Sequence, residues 1–320
     1  MNRNQGAEAG QDSGNLETHE SQLEASYEIL LCKAERQLIS AGVPDASLDA
    51  WYLLSDTFRI SRADYLWKKK SCPPVIPDCW QERLDRRCRR EPLAYIVGST
   101  EFMGLSFRVG PEVLIPRQDT ETLVEWVLAD EKRLDQEREA GRVPGESRAL
   151  RRGPLLDLCT GSGCIGLSLA RLGGFEVTLA DLSGKALAVA EENGRRLGVE
   201  VRLYAGDLFD ALPKGERYDV IVSNPPYIES SVIETLQEEV RDYEPRMALD
   251  GQADGLYFYR RLAKEAPFWL KPGGRLYVEI GYNQGTAVRR LFTEAGFSAV
   301  ELRRDLAGND RVVRGVYWNV

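Results

Sequence analysis

An apolar segment that runs into glycines and then into a helix constrains the fold of this chain most strongly. Residues 155–158 are followed by Cys-Thr-Gly-Ser-Gly-Cys, and residues 165–171 have the apolar spacing of a helix. Gly161 and Gly163 let the backbone turn tightly and let a ligand approach main-chain N–H groups at the helix start. This order predicts a buried strand, a ligand-binding loop and a helix, as in an open α/β sheet.

Strand and helix patterns then alternate towards the C-terminus. We predict strands at 176–180, 201–205, 218–223 and 275–280, helices near 120–128, 255–270 and 284–295, and closing strands near 298–302 and 312–316. Parallel strands that are joined through helices form a sheet covered on both faces. The predicted fold class is therefore α/β.

Acidic residues lie at the ends of the first three strands of this sheet. Asp157 is next to the glycine loop, where it can order the loop or face an ammonium group. Asp181 can accept from ribose hydroxyls, and Asp207 can hold an adenine edge. S-adenosylmethionine offers donors or positive charge to all three, so the pattern favours this cofactor. Each aspartate alone could instead be a helix cap or a turn residue.

The glycine loop also admits a competing interpretation. The glycines at 161, 163 and 166 match the G-x-G-x-x-G spacing of dinucleotide-binding loops, which is typical of dehydrogenases. However, acidic side chains at successive strand ends would repel the pyrophosphate of a dinucleotide. The strand ends therefore favour the sulfonium cofactor over a nicotinamide one.

The tetrapeptide Asn224-Pro225-Pro226-Tyr227 follows the apolar strand at 218–223, where an open α/β sheet binds its ligands. Asn224 offers a side-chain carbonyl, and Pro225 has no N–H, so nearby main-chain carbonyls stay available as acceptors. Tyr227 supplies a flat apolar wall. Two acceptors can hold both hydrogens of a planar amino group. A turn that merely ends the strand is the simpler interpretation, but Tyr227 and the glycine loop favour a site for amino-group methylation.

Together these motifs resemble class I S-adenosylmethionine-dependent methyltransferases, and specifically the peptide-chain release factor glutamine methyltransferases. The likeness runs from about Tyr27 to the C-terminus. Its more discriminating parts are the segments at 90–98, 101–102, 115–121, 279–284 and 305–311.

The resemblance implies a Rossmann-like sheet of seven strands with the last one antiparallel, preceded by a small helical bundle and a β-hairpin. It also implies methyl transfer to the glutamine amide of the Gly-Gly-Gln motif in class 1 release factors. The implied catalytic residues are Asn224, Pro225 and Tyr227, and Pro226 joins them in binding substrate. The implied cofactor-binding residues are Asp157, Cys159, Thr160, Gly161, Ser162, Gly163, Asp181, Asp207, Leu208 and Asn224.

Composition divides the chain into four predicted parts. Residues 1–21 are rich in polar residues and glycine and are expected to be a mobile tail. Residues 22–92 are expected to be a helical domain that docks the substrate, 93–116 an interdomain β-hairpin linker, and 117–320 the methyltransferase domain. The charged stretch at 130–152 is expected to extend a helix and then form an exposed loop. The apolar residues predicted to build the bundle are Ile29, Leu30, Leu38, Ile39, Trp51, Leu53, Leu54 and Leu66.

Charge and composition limit the partners. A net charge of −8 disfavours stable nucleic-acid binding. The cysteines and the single histidine lack metal-ligand spacing, so no metal is expected. There is no apolar run of membrane-spanning length and no secretion signal, which predicts a cytoplasmic protein without membrane contact. A basic cluster in the helical region is expected to be a solvated helix face or, alternatively, a docking surface for an acidic partner: Lys68, Lys69, Lys70, Arg83, Arg86, Arg87, Arg89 and Arg90.

Three functions stay open at this point. The first is a glutamine methyltransferase that acts on release factors, which the extent of the resemblance favours. The second is an adenine amino-methyltransferase of DNA or RNA, because a flipped adenine also presents a planar amino group. The acidic charge and the lack of an evident base-reading domain count against it. The third is a cofactor-binding scaffold without catalysis, against which the intact motifs argue.

Overall fold

The computed structural model describes residues 26–141 and 152–318. These residues form two compact units that divide between Val97 and Gly98. The predicted tail at 1–21 lies outside the described residues. The division places the predicted hairpin in the larger unit, and the roles expected of the four segments stay predictions.

The smaller unit is a group of helices: α1 (Tyr27–Ser40), α2 (Ala46–Phe58), α3 (Arg62–Lys68), α4 (Cys79–Cys88) and α5 (Leu93–Val97). Helix α3 begins with a capping box, in which the Ser61 hydroxyl accepts from Asp64 N and the Asp64 carboxylate accepts from Ser61 N. The last of these helices lies at the start of the segment 93–116, which was expected to be a hairpin linker.

Of the eight apolar residues predicted to build the bundle, five lie in its core, Ile29 is only partly buried, and two are exposed. Leu30, Leu38, Trp51, Leu53 and Leu54 are buried in its core, as expected. The prediction was wrong for Ile39 and Leu66, which are 59% and 71% exposed. Helical spacing identifies a possible apolar stripe, but a short helix can present part of that stripe to solvent.

The basic cluster of this unit is largely engaged within the unit itself. Arg87 is buried, and its Nε donates to Asp49 Oδ2 at 2.6 Å. Arg86 Nε donates to Glu91 Oε2 at 2.9 Å, and Arg83 pairs with Asp56. Arg83 and Arg87 therefore join α4 to α2, and Arg86 fixes the connection after α4. Charge reversal at Arg86 and Arg87 would thus test the stability of the unit more than the docking of a partner.

The larger unit contains two sheets. The hairpin strands are β1 (Ser99–Phe102) and β2 (Leu105–Arg108). The main sheet has the strand order β5-β4-β3-β6-β7-β9-β8, with these bounds: β3 (Pro154–Leu158), β4 (Glu176–Asp181), β5 (Val201–Ala205), β6 (Tyr218–Ser223), β7 (Leu270–Glu279), β8 (Ser298–Arg304) and β9 (Asp310–Tyr317). Strand β9 runs antiparallel to both of its neighbours, whereas β3 to β7 pair in parallel. The predicted fold class, with seven strands and an antiparallel last strand, is confirmed.

Helices cover both faces of this sheet: α6 (Glu121–Glu139), α7 (Cys164–Gly173), α8 (Gly184–Leu197), α10 (Tyr257–Glu265) and α11 (Gly285–Glu294). The short helix α9 (Glu238–Tyr243) has no buried residue. Successive strand residues point to opposite faces. Leu155 and Val220 accordingly pack in the cluster with α6, α7 and α8, while Leu156 and Ile221 pack in the cluster with α10 and α11. No helix in the described ranges is both long and apolar enough to cross a lipid bilayer.

Helix α6 continues to Glu139, as the predicted helix extension requires. Three acidic residues of this extension, Asp130, Glu131 and Asp135, are nonetheless buried. Glu131 Oε2 and Asp135 Oδ2 each accept from the Arg152 guanidinium at 2.7 Å. Sequence charge alone predicts a solvated face, but paired charges can be buried. The rest of the predicted loop, 142–151, lies outside the described residues.

The hairpin is fastened to the larger unit by polar contacts. Glu121 Oε1, at the start of α6, accepts from Met103 N at 2.6 Å. Asn193 of α8 accepts from Arg108 N at 2.7 Å and donates to Arg108 O at 3.0 Å. The same Asn193 amide donates to Ser162 O at 2.9 Å, so it joins the hairpin to the glycine loop.

Candidate active site

The site lies where the strand order reverses. After β3 the chain proceeds outwards through β4 and β5, and it then returns to place β6 on the other side of β3. Leu158 is paired with Ser223, so the loops that begin at Cys159 and Asn224 leave the sheet side by side. This is the crevice in which open α/β sheets bind ligands.

The glycine loop is held from below by Asp157. Its Oδ2 accepts from Thr160 Oγ1 at 2.7 Å and from Gly166 N at 2.9 Å. A Cβ at Gly166 would lie 2.4 Å from Leu179 Cδ2, so the residue must be glycine for the helix to pack this closely on the sheet. Of the two roles expected of Asp157, these contacts are those of loop ordering.

The acidic end of β4 braces the same loop. Asp181 Oδ2 accepts from Gly161 N at 2.9 Å, and its Oδ1 accepts from Ser183 N at 2.8 Å. Burial raises the pKa of Asp181 above its ordinary value, which these two main-chain hydrogen bonds oppose. Asp207, at the end of β5, is half exposed and its Oδ2 accepts from Arg261 Nη1 at 2.6 Å.

A cavity of about 460 Å³ opens over these loops, which is a size typical of small-molecule sites. The described residues that line it include many of the predicted cofactor-binding and substrate-binding residues: Cys159, Thr160, Gly161, Ser162, Asp181, Asp207, Leu208, Asn224 and Pro226. Four predicted site residues are not part of this lining: Asp157, Gly163, Pro225 and Tyr227. Of these four, Asp157 and Pro225 are buried, and Gly163 is the positive-φ residue immediately before α7.

Tyr227 is directed away from the cavity lining towards a buried carboxylate. Its hydroxyl donates to Glu279 Oε1 at 3.5 Å, and its ring packs against the core under α10. Its main-chain carbonyl accepts from Gln284 Nε2 at 3.0 Å. A Cβ at Gly255 would lie 2.4 Å from the same carbonyl oxygen. The backbone at Tyr227 is therefore held by Gln284, which follows β7, and is closely approached by Gly255, which precedes α10.

Two buried carboxyl groups near the site have strongly raised pKa values. Burial raises the pKa of Asp157 to about 7, against the hydrogen bonds from Thr160 and Gly166 N. Burial likewise raises the pKa of Glu279 to about 7, against a hydrogen bond from Thr120 and the positive charge of Arg311. Among the described residues, Asp157 Oδ1 and Glu279 Oε2 have no hydrogen-bond partner. Perturbed carboxyl groups of this kind are common at functional sites.

The two cysteines of the glycine loop are not activated thiols. Burial raises the pKa of Cys164 to about 12 and raises that of Cys159 even further. A thiol in this state is protonated at neutral pH and is a poor nucleophile. No cluster of histidine, cysteine and acidic side chains in the described ranges is arranged to hold a metal ion.

Sequence reasoning missed two walls of the cavity, at 112–117 and 245–252. Arg117 Nη2 donates to the buried Glu244 Oε1, which joins the two walls. Ile115 N donates to Glu244 Oε2 at 3.4 Å. These partners are far apart in sequence, so only the Ile115–Glu121 likeness to a family segment could have indicated them.

Comparison with known proteins agrees with this geometry. The family models for the PrmC N-terminal domain and for the methyltransferase small domain match residues 30–98 and 146–243. A release factor glutamine methyltransferase from Geobacter sulfurreducens is 42% identical over 87% of this chain and 92% of its own length. The chain belongs to the release factor glutamine methyltransferase family. A second member, from Bordetella pertussis, is 44% identical over 83% of this chain and 88% of its own length.

The likeness to solved structures adds the fold alone. The hMettl16 catalytic domain, solved in complex with a 3'UTR hairpin, has a TM-score of 0.50 and 16% identity. The match covers 76% of this chain and 83% of that one. For this member of the glutamine methyltransferase family, the predicted α/β architecture is thus found in a solved structure as well.

Proposed function

We propose that this chain methylates the side-chain amide nitrogen of the glutamine in the Gly-Gly-Gln motif of class 1 release factors, with S-adenosylmethionine as methyl donor. One observation carries the proposal: Asn224 lines the same cavity as the glycine loop, at the point where the strand order reverses. Family membership identifies the amino group as a glutamine amide.

The cavity fits this cofactor by its size and by its acceptors. Asp181 and Asp207 line it and can accept from ribose hydroxyls and from the adenine amine. Main-chain N–H groups at Gly161 and at the start of α7 border the same space. When bound, S-adenosylmethionine would supply an electrophilic methyl carbon, and the electrons of its C–S bond would return to sulfur as the N–C bond forms.

The tetrapeptide would orient the substrate amide. Asn224 Oδ1 and the main-chain carbonyl of Pro225 would each accept one hydrogen of the –NH₂ group, which turns the nitrogen lone pair towards the methyl carbon. Positive charge that grows on the nitrogen strengthens both hydrogen bonds in the transition state. Tyr227 would frame this arrangement from behind, through its contact with Glu279 and its clamped main chain.

Positioning would supply most of the acceleration. An amide nitrogen is a weak nucleophile because its lone pair is delocalised, and the motifs contain no base strong enough to deprotonate it first. Holding the reacting atoms about 3 to 3.5 Å apart and in line can contribute roughly 7 to 11 kcal/mol in favourable cases. The proton would leave the nitrogen after the methyl transfer.

The partners follow from the same proposal. A release factor would be the protein substrate, and the helical unit at 22–92 would dock it. Stable binding to nucleic acid is not expected from a chain with a net charge of −8. The cytoplasmic location stays a prediction.

One labelling experiment tests the function. The enzyme is incubated with methyl-labelled cofactor and, separately, with a release factor, its Gln→Ala variant in the Gly-Gly-Gln motif, DNA and RNA. We expect label only in the unmodified release factor. Label in nucleic acid would support the adenine methyltransferase interpretation instead, and label in none of the four would favour a scaffold without catalysis.

A further inference from the structure

Arg311, near the start of β9, has a guanidinium group that meets three segments of the larger unit. Its Nε and Nη2 donate to Asp305 Oδ2 at 3.1 and 2.9 Å, in the turn before β9. Its Nη1 donates to Ile280 O at 3.5 Å, directly after the end of β7. Its Nη2 also pairs with Asp119 Oδ2 at 3.2 Å, two residues before α6. The side chain is only 11% exposed, so it joins these segments from within the fold.

One contact of Arg311 leads to Asn224. Asp119 is followed directly by Thr120, whose Oγ1 accepts from Asn224 Nδ2 at 3.5 Å. Thr120 is 2% exposed and lines the cavity together with Asn224. The side chain of Asp119 is 50% exposed, so its ion pair with Arg311 contributes little to stability. The ion pair does restrict where the next residue, which contacts Asn224, can lie.

A second contact of Arg311 leads to Tyr227. Ile280, whose N–H donates to Arg311 O at 2.8 Å, precedes a tight turn. Gln284 closes this turn, because its N–H donates to Gly281 O and its Oε1 accepts from Gly281 N, both at 2.9 Å. Gln284 Nε2 then donates to Tyr227 O at 3.0 Å. Arg311 is thus connected to the first and to the last residue of the tetrapeptide.

Asp305 fixes the direction of the guanidinium group. Its side chain is 1% exposed and accepts from Arg311 and from Asn309 N, the latter at 2.9 Å. Its own N–H donates to Asn309 O at 2.9 Å, so the acid is held by the turn that carries it. A planar guanidinium group that is held at one edge presents its other donors in fixed directions. Arg311 therefore meets Ile280 and Asp119 with a geometry that a flexible lysine does not reproduce.

We propose that Arg311 is a positioning residue for the reaction, and that it holds Asn224 and Tyr227 in the arrangement that receives the substrate amide. The inference rests on the proposed function, because the glutamine –NH₂ is the group that the tetrapeptide orients. Arg311 is not part of the cavity lining, so it acts through Thr120 and Gln284 rather than on the substrate. A misplacement of about 1 Å can lower a rate roughly 10²-fold.

The first test compares two arginines of β9. Arg311→Lys keeps the positive charge near Glu279 and loses the planar fork. Arg314→Lys is the matched control, because Arg314 is also buried and paired, but its partners Asp130 and Glu301 belong to neither connection. With labelled cofactor and a release factor as substrate, kcat per folded molecule should fall roughly 10- to 10²-fold in Arg311→Lys and stay near the wild-type value in Arg314→Lys. The dissociation constant of S-adenosylmethionine, measured by calorimetry, should change little in either, and equal losses of kcat would contradict the proposal.

A second variant covers the case in which Arg311→Lys folds poorly. Asp119→Asn keeps the shape of a half-exposed side chain and removes the charge that pairs with Arg311, so its melting temperature should stay close to that of the wild type. We expect kcat to fall by a smaller factor than in Arg311→Lys, because the connection through Ile280 remains. In the Asn224→Ala background, Asp119→Asn should lower kcat no further. An equal further loss in that background, or a wild-type kcat in Asp119→Asn alone, would overturn the inference.

A third measurement does not depend on activity. Hydrogen exchange of the segment 223–228, followed by mass spectrometry of its peptides, reports how firmly the tetrapeptide is held. Exchange there should be faster than in the wild type in both Arg311→Lys and Asp119→Asn, and unchanged in Arg314→Lys. If the wild type transfers no methyl group to the release factor, the proposed function is wrong, but the exchange still decides whether Arg311 orders the tetrapeptide. Wild-type exchange in both variants would show that it does not.

Discussion

Strand β7 carries two buried charges whose surroundings are opposite. Arg275 donates to Glu131 Oε1, and Glu131 Oε2 accepts from Arg152 at 2.7 Å, so this acid lies between two guanidinium groups. Glu279 lies four residues after Arg275 on β7 and is equally buried. The Arg311 guanidinium, whose charge acts on Glu279, donates hydrogen bonds to Asp305 and pairs with Asp119. One acid is neutralised by its partners and the other is not.

The unpaired atoms of the two regions differ in kind as well. Among the described residues, the unpaired atoms around Glu131 include guanidinium nitrogens of Arg152, Arg275 and Arg314. Those at the site are oxygens, and they belong to Glu112, Asp157, Ser162 and Glu279. A buried acid without a cationic partner holds its proton more tightly, which is why the pKa values at the site reach about 7. Buried charges that are paired, as around Glu131, therefore support the fold. A buried carboxyl group without a cationic partner, as at Glu279, can instead change its protonation near neutral pH.

The largest expected effect lies at the buried ion pairs around Glu131. Glu131→Ala would leave Arg152 and Arg275 without their shared acid, and removing one partner of a buried pair typically costs about 3–5 kcal/mol. We expect that loss in the free energy of unfolding measured with urea, with kcat per folded molecule unchanged. Glu125→Ala, at an exposed position of the same helix, is the control and should stay within about 0.5 kcal/mol. If Glu131→Ala and Glu125→Ala lower the free energy of unfolding equally, the buried ion pairs around Glu131 do not support the fold.

At the candidate active site we expect the reverse: a substitution should lower kcat and leave stability almost unchanged. Asn224→Ala removes the proposed acceptor for the substrate amide, and loss of one such preorganised group lowers kcat by roughly 10²–10³-fold. Stability and the cofactor dissociation constant should change little, because within the described ranges the side chain makes a single long hydrogen bond, to Thr120. The exposed Asn283 is a suitable control for alanine substitution at the same end of the sheet. An equally large loss of cofactor binding in Asn224→Ala would contradict the separation of roles.

The sequence predicted the strand ends of this site well for a simple reason. A buried apolar run ends where polar or turn-forming residues begin, and parallel strands end at the same edge of a sheet. Asp181 and Asn224 could therefore be placed together from the sequence. The helix that carries Glu131 was predicted, but the burial of its acidic residues was not, because a run of charges looks solvated until its partners are known. The cations that neutralise Glu131 come from β7 and from the residues just before β3.

Residues that act across the fold could not be found in the same way. Asn224 and Thr120 are 104 positions apart, and Tyr227 and Glu279 are 52 apart. Neither pair belongs to one periodic pattern, and threonine and glutamate are ordinary residues at helix starts and strand ends. The resemblance included both segments, but it gave no reason for Thr120 or Glu279 until the contacts with Asn224 and Tyr227 were seen.

The pH dependence of stability sharpens the comparison. The pKa of Glu279 is raised from 4.5 to about 7 by folding, so the folded state binds the proton more tightly. Stability from this group is present below pH 4.5 and is lost as the pH rises towards 7, by at most roughly 3 kcal/mol. Glu279→Gln cannot titrate, so its melting temperature should rise relative to the wild type between pH 5 and pH 8. Asp157 titrates in both proteins, so its contribution cancels in the difference. A difference in melting temperature that stays constant between pH 5 and pH 8 would mean that folding does not raise the pKa of Glu279.

The smallest expected effect concerns the cofactor end of the cavity, where an acid is stabilised by main-chain donors rather than by cations. Asp181 accepts from Gly161 N and Ser183 N, so it both braces the glycine loop and is expected to accept from the ribose. Hydrogen bonds to a charged group contribute about 1.5–3 kcal/mol, hence Asp181→Ala should weaken S-adenosylmethionine binding by at least roughly tenfold. At saturating cofactor, kcat should stay near that of the wild type, in contrast to Asn224→Ala. Asp210→Ala, whose side chain is 82% exposed, is the control. If kcat falls while the calorimetric dissociation constant stays unchanged, Asp181 belongs with the substrate-orienting group and the proposed cofactor contact is wrong.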